Sequence, residues 1–155
     1  MTKEELMQRA IVLSKESVQH GGGPFGAVIA RDGQIVAEGS NSVTMLCDPT
    51  AHAEVTAIRN ACKKLGTFDL KGCTIYTSCE PCPMCFGAIY WARLDAIYMA
   101  NDRKDAAAIG FDDDFIYREI ALPASQRSKP CHVLMHKEAQ EAFEMWDEKT
   151  DKTAY

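Results

Sequence analysis

The sequence predicts one α/β domain in which helices cover the faces of a sheet. The chain has 155 residues and 46% hydrophobic content, which is enough for a single sizeable core. Strand and helix patterns alternate as β-α-β-α-β through its middle, and an Asp-Gly hairpin signal precedes them. We therefore expect one domain over residues 1–155, with right-handed crossovers between neighbouring strands.

The first forty residues predict a helix and a hairpin. Apolar residues recur at near-helical spacing from Thr2 to His20. Two short β-rich runs follow, Ala27–Ala30 and Gln34–Glu38, and they flank Asp32-Gly33. That dipeptide favours a two-residue turn, so the two runs are expected to pair antiparallel.

Six further elements complete the predicted order. They are a helix from about Ala51 to Leu65, a strand Cys73–Ser78, a helix from about Cys82 to Ala92, a strand Asp95–Ala100, a last strand around Val133 and an amphipathic helix from His136 to Lys149. Residues 111–130 have the least regular pattern.

Composition and charge indicate which kinds of molecule the chain is expected to bind. A net charge of -5 and a pI near 5.3 argue against a nucleic acid, which is normally met by a basic face. No apolar run is long enough to span a membrane, so we expect no membrane partner and a cytoplasmic location. Seven cysteines, an odd number, suit a reducing compartment with metal-binding thiols better than a disulfide framework.

A pair of cysteines, Cys82 and Cys85, lies at the junction of a predicted strand and helix, next to Pro81 and Pro83. One helical turn makes the two side chains neighbours. The positive end of a helix dipole favours thiolate over thiol. Two thiolates in this position indicate a zinc site.

The stretch Pro49–Cys62 supplies two further candidates, His52 and Glu54, at another predicted helix start. Helix starts that follow different strands can converge at one edge of a sheet, so His52 is the expected third ligand. Three ligands and one open position are typical of catalytic zinc. Glu54 would take the proton of the metal-bound water and deliver it elsewhere.

Other interpretations remain open from the residues alone. A Cys-x-x-Cys pair also fits a thioredoxin-like redox site. Cys79 could join His52, Cys82 and Cys85 in a closed, structural zinc site. An iron–sulfur run would need a further cysteine where Ile89 stands.

The two motifs together resemble a known family. His52-Ala53-Glu54 and the segment from Pro81 to Cys85 look like the H-x-E…P-C-x-x-C signature of the zinc-dependent cytidine deaminase superfamily. Within it, the segments GGPFGAVI, DPTAHAEVTAIR, TSCEPCPMC, GAIYWAR and GFDDDFIY and the terminal Tyr155 look most like bacterial guanine deaminases, over the whole chain. Transfer-RNA adenosine deaminases share the zinc motifs.

This resemblance implies a three-layer α/β/α sandwich with a five-stranded mixed sheet. It also implies one zinc ion per subunit on His52, Cys82 and Cys85, with Cys79 not a ligand. The implied reaction is hydrolysis of guanine to xanthine and ammonia, in which Glu54 protonates the departing nitrogen. A backbone N–H near Ala53 or Cys82 would help to hold developing negative charge.

Four side chains are expected to contact the purine base. Asn41 takes the role of an asparagine that contacts the ring in related deaminases. Phe25 would pack against the base, or else in the core, and Trp91 would line the pocket, or else belong to a buried helix face. Asp113 would accept from N1–H and the 2-amino group, although its register within the acidic run 112–114 rests on the resemblance alone.

The resemblance further implies a homodimer that exchanges its C-terminal segments, about residues 131–155. Asp113 and Tyr155 would then complete the partner's site, with Tyr155 as a lid, although chain ends are usually frayed. Three alternatives stay open for the function: a deaminase of cytosine, adenine or cytidine, a transfer-RNA adenosine deaminase, and a zinc module without catalysis. The transfer-RNA deaminase ranks low because the cationic residues are scattered.

Overall fold

A computed structural model describes residues 1–155 and contains two compact units, Met1–Tyr117 and Arg118–Tyr155. The strands are β1 (Gly26–Arg31), β2 (Gln34–Ser40), β3 (Thr74–Cys79) and β4 (Ala96–Asn101). The helices are α1 (Lys3–Gln19), α2 (Val43–Leu46), α3 (Ala53–Leu65), α4 (Pro83–Trp91), α5 (Arg103–Ala108), α6 (Asp114–Ala121) and α7 (His136–Glu148).

The sheet is mixed, with strand order β2-β1-β3-β4. Strand β1 pairs antiparallel with both β2 and β3, whereas β3 and β4 are parallel. The predicted hairpin is confirmed: Asp32 and Gly33 both have positive φ, 51° and 73°. Such a turn matches the right-handed twist of the two strands that it joins.

The sheet has four strands rather than the expected five. The missing strand is the one expected around Val133, where residues 131–135 are irregular and mostly exposed. A strand is stable only on a partner edge, and Arg118–Tyr155 contains no other strand. The α/β class and the mixed pairing are confirmed, but the fifth strand is not formed within this chain.

Helices pack on both faces of the sheet because alternate residues of β1 point to opposite sides. Val28 and Ala30 join residues of α1 in one core cluster. Ala27 and Ile29 join residues of α3 and α4 in the other. The sheet therefore separates two apolar layers, and α3 and α4 share one of them.

Gly39 in β2 lets α3 lie unusually close to the sheet. A Cβ at this position would meet the carbonyl oxygen of Ala53 and lie 2.5 Å from the backbone nitrogen of Ala57. No side chain fits between two backbones at that separation. The contact fixes the first turn of α3, which begins directly after His52.

The second unit, Arg118–Tyr155, contains most of α6, a short 3-10 turn Ala124–Gln126 and α7. Arg127 donates to the carbonyl oxygens of Glu119 (3.1 Å), Leu122 (3.2 Å) and Ile120 (3.3 Å). These bonds satisfy carbonyl groups at the end of α6 that have no partner within the helix. No helix of the chain combines the length and apolar composition needed to cross a membrane.

Candidate active site

The starts of α3 and α4 bring three metal-binding side chains together. His52 is the N-cap of α3 and Cys82 the N-cap of α4, both with extended backbone, and Pro83 occupies the first turn of α4. The Nδ1 atom of His52 lies 3.5 Å from Cys82 Sγ and 3.6 Å from Cys85 Sγ. All three ligand atoms lie within 4.8 Å of one another.

This donor set fits zinc. Two sulfurs and one imidazole nitrogen are typical zinc ligands, and three of them leave a tetrahedral ion one open position. Cys79 does not join the group, because its thiol points to the carbonyl oxygen of Asp102 at 3.7 Å. Burial raises the pKa of Cys79 to about 12, so its sulfur stays protonated.

The three ligands influence each other's protonation. The Cys85 thiol donates to Cys82 and lowers the pKa of Cys82, and the His52 imidazole adds to this effect. The same hydrogen bond, together with burial, raises the pKa of Cys85. The hydrogen bond with Cys82 raises the pKa of His52. The first proton therefore leaves Cys82, and a bound cation would favour removal of the second.

Glu54 lies in the first turn of α3 and is only 5% exposed. Burial raises the pKa of Glu54, and the hydroxyl of Thr77 lies 3.1 Å from its Oε1. A helical spacing of two residues would separate His52 and Glu54 by about 200°. They share one region because His52 precedes the helix and has extended backbone.

A cavity of about 230 Å³ lies beside these residues. It is lined by Phe25, His52, Cys79, Glu80, Cys82, Ala106, Phe111, Asp112, Asp113 and Ile116. The Phe25 and Phe111 rings meet edge to face, with centroids 5.0 Å apart. Asp113 lines the cavity of its own chain, whereas the resemblance implies that it would complete the site of a partner. Its Oδ1 is buried without a hydrogen-bond partner, and burial raises the pKa of this carboxyl. An unpaired buried acceptor of this kind suits a ligand that brings a donor.

Residues 1–101 match the family model of the cytidine and deoxycytidylate deaminase zinc-binding region. The chain belongs to the cytidine and deoxycytidylate deaminase family. That match and the geometry of the three ligand side chains together confirm zinc as the expected cofactor.

Members of this deaminase family with known names and structures are similar to the chain. Guanine deaminase of Bacillus subtilis (strain 168) is 54% identical over 156 residues, covering 100% of both chains. A crystal structure of guanine deaminase from Bacillus subtilis superposes with a TM-score of 0.96, covering 100% of this chain and 99% of that one at 54% identity.

Two more distant family members show the breadth of the likeness. A mutant protein solved in complex with 8-azaguanine has 37% identity and a TM-score of 0.70, covering 72% of this chain and 65% of that one. The tRNA-specific adenosine deaminase of Aquifex aeolicus is 40% identical over 110 residues, which is 70% of this chain and 73% of the relative.

Two further residues that were expected to contact the substrate of this deaminase, Asn41 and Ala53, are buried. Asn41 is buried, and its Oδ1 accepts from the backbone N–H groups of Gly23 (3.4 Å) and Val43 (3.3 Å). Both lone pairs of that oxygen accept hydrogen bonds, so Asn41 can bind a purine base only through its NH₂ group. Ala53 is fully buried in the first turn of α3.

Four of the expected substrate contacts, Asn41, Ala53, Trp91 and Tyr155, are not among the residues that line the cavity. Trp91 lies at the end of α4 and is 68% exposed. Tyr155 lies in the second unit and is also exposed. Their roles stay predictions.

Two contributors to the site were missed by the sequence analysis. Thr77 is a buried polar residue within the apolar strand β3, and that contrast was the available signal. Phe111 precedes the acidic run in a region of irregular pattern, where no spacing indicated its contact with Phe25.

Proposed function

We propose that this chain catalyses the zinc-dependent hydrolysis of guanine to xanthine and ammonia. The likeness to Bacillus subtilis guanine deaminase over the full length of both chains carries the proposal. The likeness to the transfer-RNA deaminase covers a smaller part of this chain. A net charge of -5 also suits a small base better than a polyanion.

In this proposal His52, Cys82 and Cys85 would hold one zinc ion per subunit, and two of these ligands, His52 and Cys82, line the cavity. Bound zinc supplies Lewis acidity, which makes water a usable nucleophile near neutral pH. The closeness of the three ligand atoms supports this assignment.

Glu54 moves the protons. Its raised pKa suits a carboxylate that must accept a proton from the attacking water and then release it to the departing nitrogen. Burial keeps the carboxyl away from bulk solvent, so the proton is passed within the site. A backbone N–H near Ala53 or Cys82, at the start of α3 or α4, would stabilise negative charge that develops during the reaction.

Four side chains orient the base. The buried, unpartnered oxygen of Asp113 accepts from N1–H, next to the amino group that leaves. The edge-to-face pair of Phe25 and Phe111 borders a slot for a flat ring. The NH₂ group of Asn41 donates to an acceptor atom of the purine.

We also propose that the protein is a homodimer that exchanges residues from about 131 to 155. Large apolar side chains are strongly exposed in that segment, notably Val133 (87%), Leu134 (84%) and Phe143 (74%). Strand β4 is an edge strand with mostly exposed residues. A strand from a second copy, around Val133, would supply the fifth strand at this edge.

The location that we propose is the cytoplasm. All seven cysteines are free thiols, as is usual in a reducing compartment.

Ammonia release tests the function directly. Zinc-loaded protein is incubated with guanine, adenine, cytosine, cytidine and a transfer RNA, and the Glu54→Gln variant serves as control. We expect release from guanine, and a loss of about 10²- to 10⁴-fold in the variant at unchanged zinc content. Release from another substrate alone would replace guanine in the proposal. Equal, low release by both proteins would favour a zinc module without catalysis.

A further inference from the structure

The side chain of Tyr117 connects the zinc-binding turn to the start of α6, which directly follows Asp113. The hydroxyl of Tyr117 donates to the carbonyl oxygen of Pro81 at 2.6 Å, directly before Cys82. The backbone N–H of Tyr117 donates to the carbonyl oxygen of Asp113 at 3.2 Å. The second bond is a backbone bond of the first turn of α6, so the Tyr117 hydroxyl is what links the start of this helix, next to Asp113, to the turn before Cys82.

Arg103 fixes the ring of Tyr117 in place. Its guanidinium lies over the ring, 4.4 Å from the centroid. The same guanidinium pairs with Glu80 at 3.1 Å and with Asp114 at 3.5 Å. Glu80 and Asp114 are the neighbours of Pro81 and Asp113, so Arg103 contacts the two segments that Tyr117 connects.

The hydroxyl of Tyr117 stays protonated and can therefore always donate a hydrogen bond. Burial raises the pKa of Tyr117 to about 12, so the hydroxyl keeps its proton at any working pH. At 2.6 Å the bond to Pro81 is short for a hydroxyl and a carbonyl group. Its loss would leave the carbonyl of Pro81 without this partner.

We propose that Tyr117 is a positioning residue that holds the Asp113 carboxylate at a fixed separation from the zinc-binding turn. The inference rests on the proposed guanine deaminase function, in which Asp113 accepts from N1–H. Tyr117 does not line the cavity, so it acts on the base through Asp113. If Asp113 were flexible, it would still accept a hydrogen bond from guanine, but it would hold the ring in the reactive orientation less firmly.

The Tyr117→Phe variant tests the inference because it removes the hydroxyl and keeps the ring over Arg103. We expect KM for guanine to rise about 3- to 10-fold, which is the effect of one lost neutral hydrogen bond, while kcat falls less than KM rises. Zinc content should not change. Tyr90→Phe is the matched control, since Tyr90 is 68% exposed on α4 and KM should stay at the wild-type value.

A double-mutant cycle with Asp113→Asn identifies the route. If Tyr117 acts through Asp113, Tyr117→Phe has little further effect on KM once the carboxylate is gone. Hydrogen–deuterium exchange over residues 109–117 gives a readout that does not depend on activity, and it should be faster in Tyr117→Phe than in the wild type.

Three results would overturn the inference in an active enzyme. These are an unchanged KM in Tyr117→Phe, an equal rise in KM with and without the Asp113 carboxylate, and a loss of zinc that accounts for the defect. A wild-type enzyme that releases no ammonia from guanine would instead overturn the proposed function.

Discussion

The hydroxyl of Thr77 lies 3.1 Å from Oε1 of Glu54 and 2.9 Å from the carbonyl oxygen of Cys79. A hydroxyl has one proton, so it can donate to only one of these oxygens at a time. When Glu54 is ionised, the proton of Thr77 can point to it. When Glu54 is protonated, Thr77 can accept from Glu54 and donate to Cys79. Thr77 thus offers Glu54 a hydrogen bond in both of its protonation states.

Removal of that hydroxyl should slow proton transfer without releasing zinc. We expect Thr77→Val to lower kcat about 10-fold or more, because a hydrogen bond to a charged, buried group contributes roughly 1.5–3 kcal/mol. Thr77→Ser keeps the hydroxyl and is the matched control, with kcat within about 3-fold of wild type. Steady-state kinetics on zinc-loaded protein measures both, and equal kcat in wild type and Thr77→Val would contradict the role.

Substitution of Cys82 or Cys85 should lower the zinc content, whereas substitution of Cys79 should not. Cys82→Ser and Cys85→Ser each remove a sulfur ligand, so both variants should lose most of their zinc after dialysis. Cys79→Ser should keep zinc, since its thiol contacts Asp102 rather than the ligand group. Metal analysis by mass spectrometry makes the comparison. Zinc loss in Cys79→Ser would favour a closed, four-ligand site.

The acidic run 112–114 allows a sharp comparison of neighbours. Asp113→Asn should raise KM for guanine about 10- to 100-fold, because a charged acceptor is lost from the cavity. Asp112→Asn should change KM little, since Asp112 Oδ1 accepts from the N–H of Phe115 at 3.2 Å and asparagine can do the same. The opposite ranking would move the base contact by one residue.

The ion pair of Arg9 and Glu38 should make part of the stability depend on pH. It is bidentate, with N–O distances of 2.7 and 2.8 Å, and the hydrogen bond from Arg9 lowers the pKa of Glu38. The contribution is therefore present above the pKa of an unfolded glutamate, about 4.3, and is lost as pH falls through the lower folded value. Glu38→Gln should lower Tm at pH 7 by about 2–4 °C, for a loss of roughly 1 kcal/mol.

The difference in Tm between wild type and Glu38→Gln should shrink below about pH 4, as Glu38 itself becomes protonated. Thermal unfolding followed by circular dichroism at several pH values gives the result. Glu16→Gln is the control, because the contact of Glu16 with Arg9 is longer, 3.6 Å, and more exposed. A difference that stays constant down to pH 3 would show that the pair contributes packing rather than charge.

The chain terminus should matter more for turnover than for stability. Deletion of Lys152–Tyr155 removes exposed residues, so Tm should change by less than about 2 °C. If Tyr155 closes a site against water, guanine turnover should fall at least about 10-fold. Kinetics and thermal unfolding of the truncated protein decide this. Equal turnover of guanine by the truncated and the full-length protein would contradict the proposed role of Tyr155 as a lid.

Local signals in the sequence predicted most elements of the first unit. The hairpin followed from Asp32-Gly33, and α1 from its apolar spacing, because both depend on nearby residues. Convergence of His52 with Cys82 was also predictable, since sheet topology brings helix starts together. The expected fifth strand was wrong for this chain because a strand depends on a distant partner, and residues 131–135 have none in the second unit.

The parts of the site that were missed depend on contacts between segments distant in sequence. Thr77 meets Glu54 across 23 positions, and Tyr117 meets Pro81 across 36. Neither pair has a characteristic spacing, because one distance is set by how α3 packs on β3 and the other by how Tyr117 meets the turn before α4, rather than by any repeat. Helix α6 itself lies in the region that had no clear pattern.

Gly39 contributes no reactive group, yet it determines where the reactive groups of α3 lie. The backbone of β2 contacts the first turn of α3 so closely that an added methyl group would displace the helix. Glu54 is part of that turn and His52 is its N-cap, so the displacement would move a proton carrier and a metal ligand together. Position 39 is therefore constrained by the reaction on the neighbouring helix as well as by packing. Even an alanine there would lower activity, because it would displace Glu54 and His52.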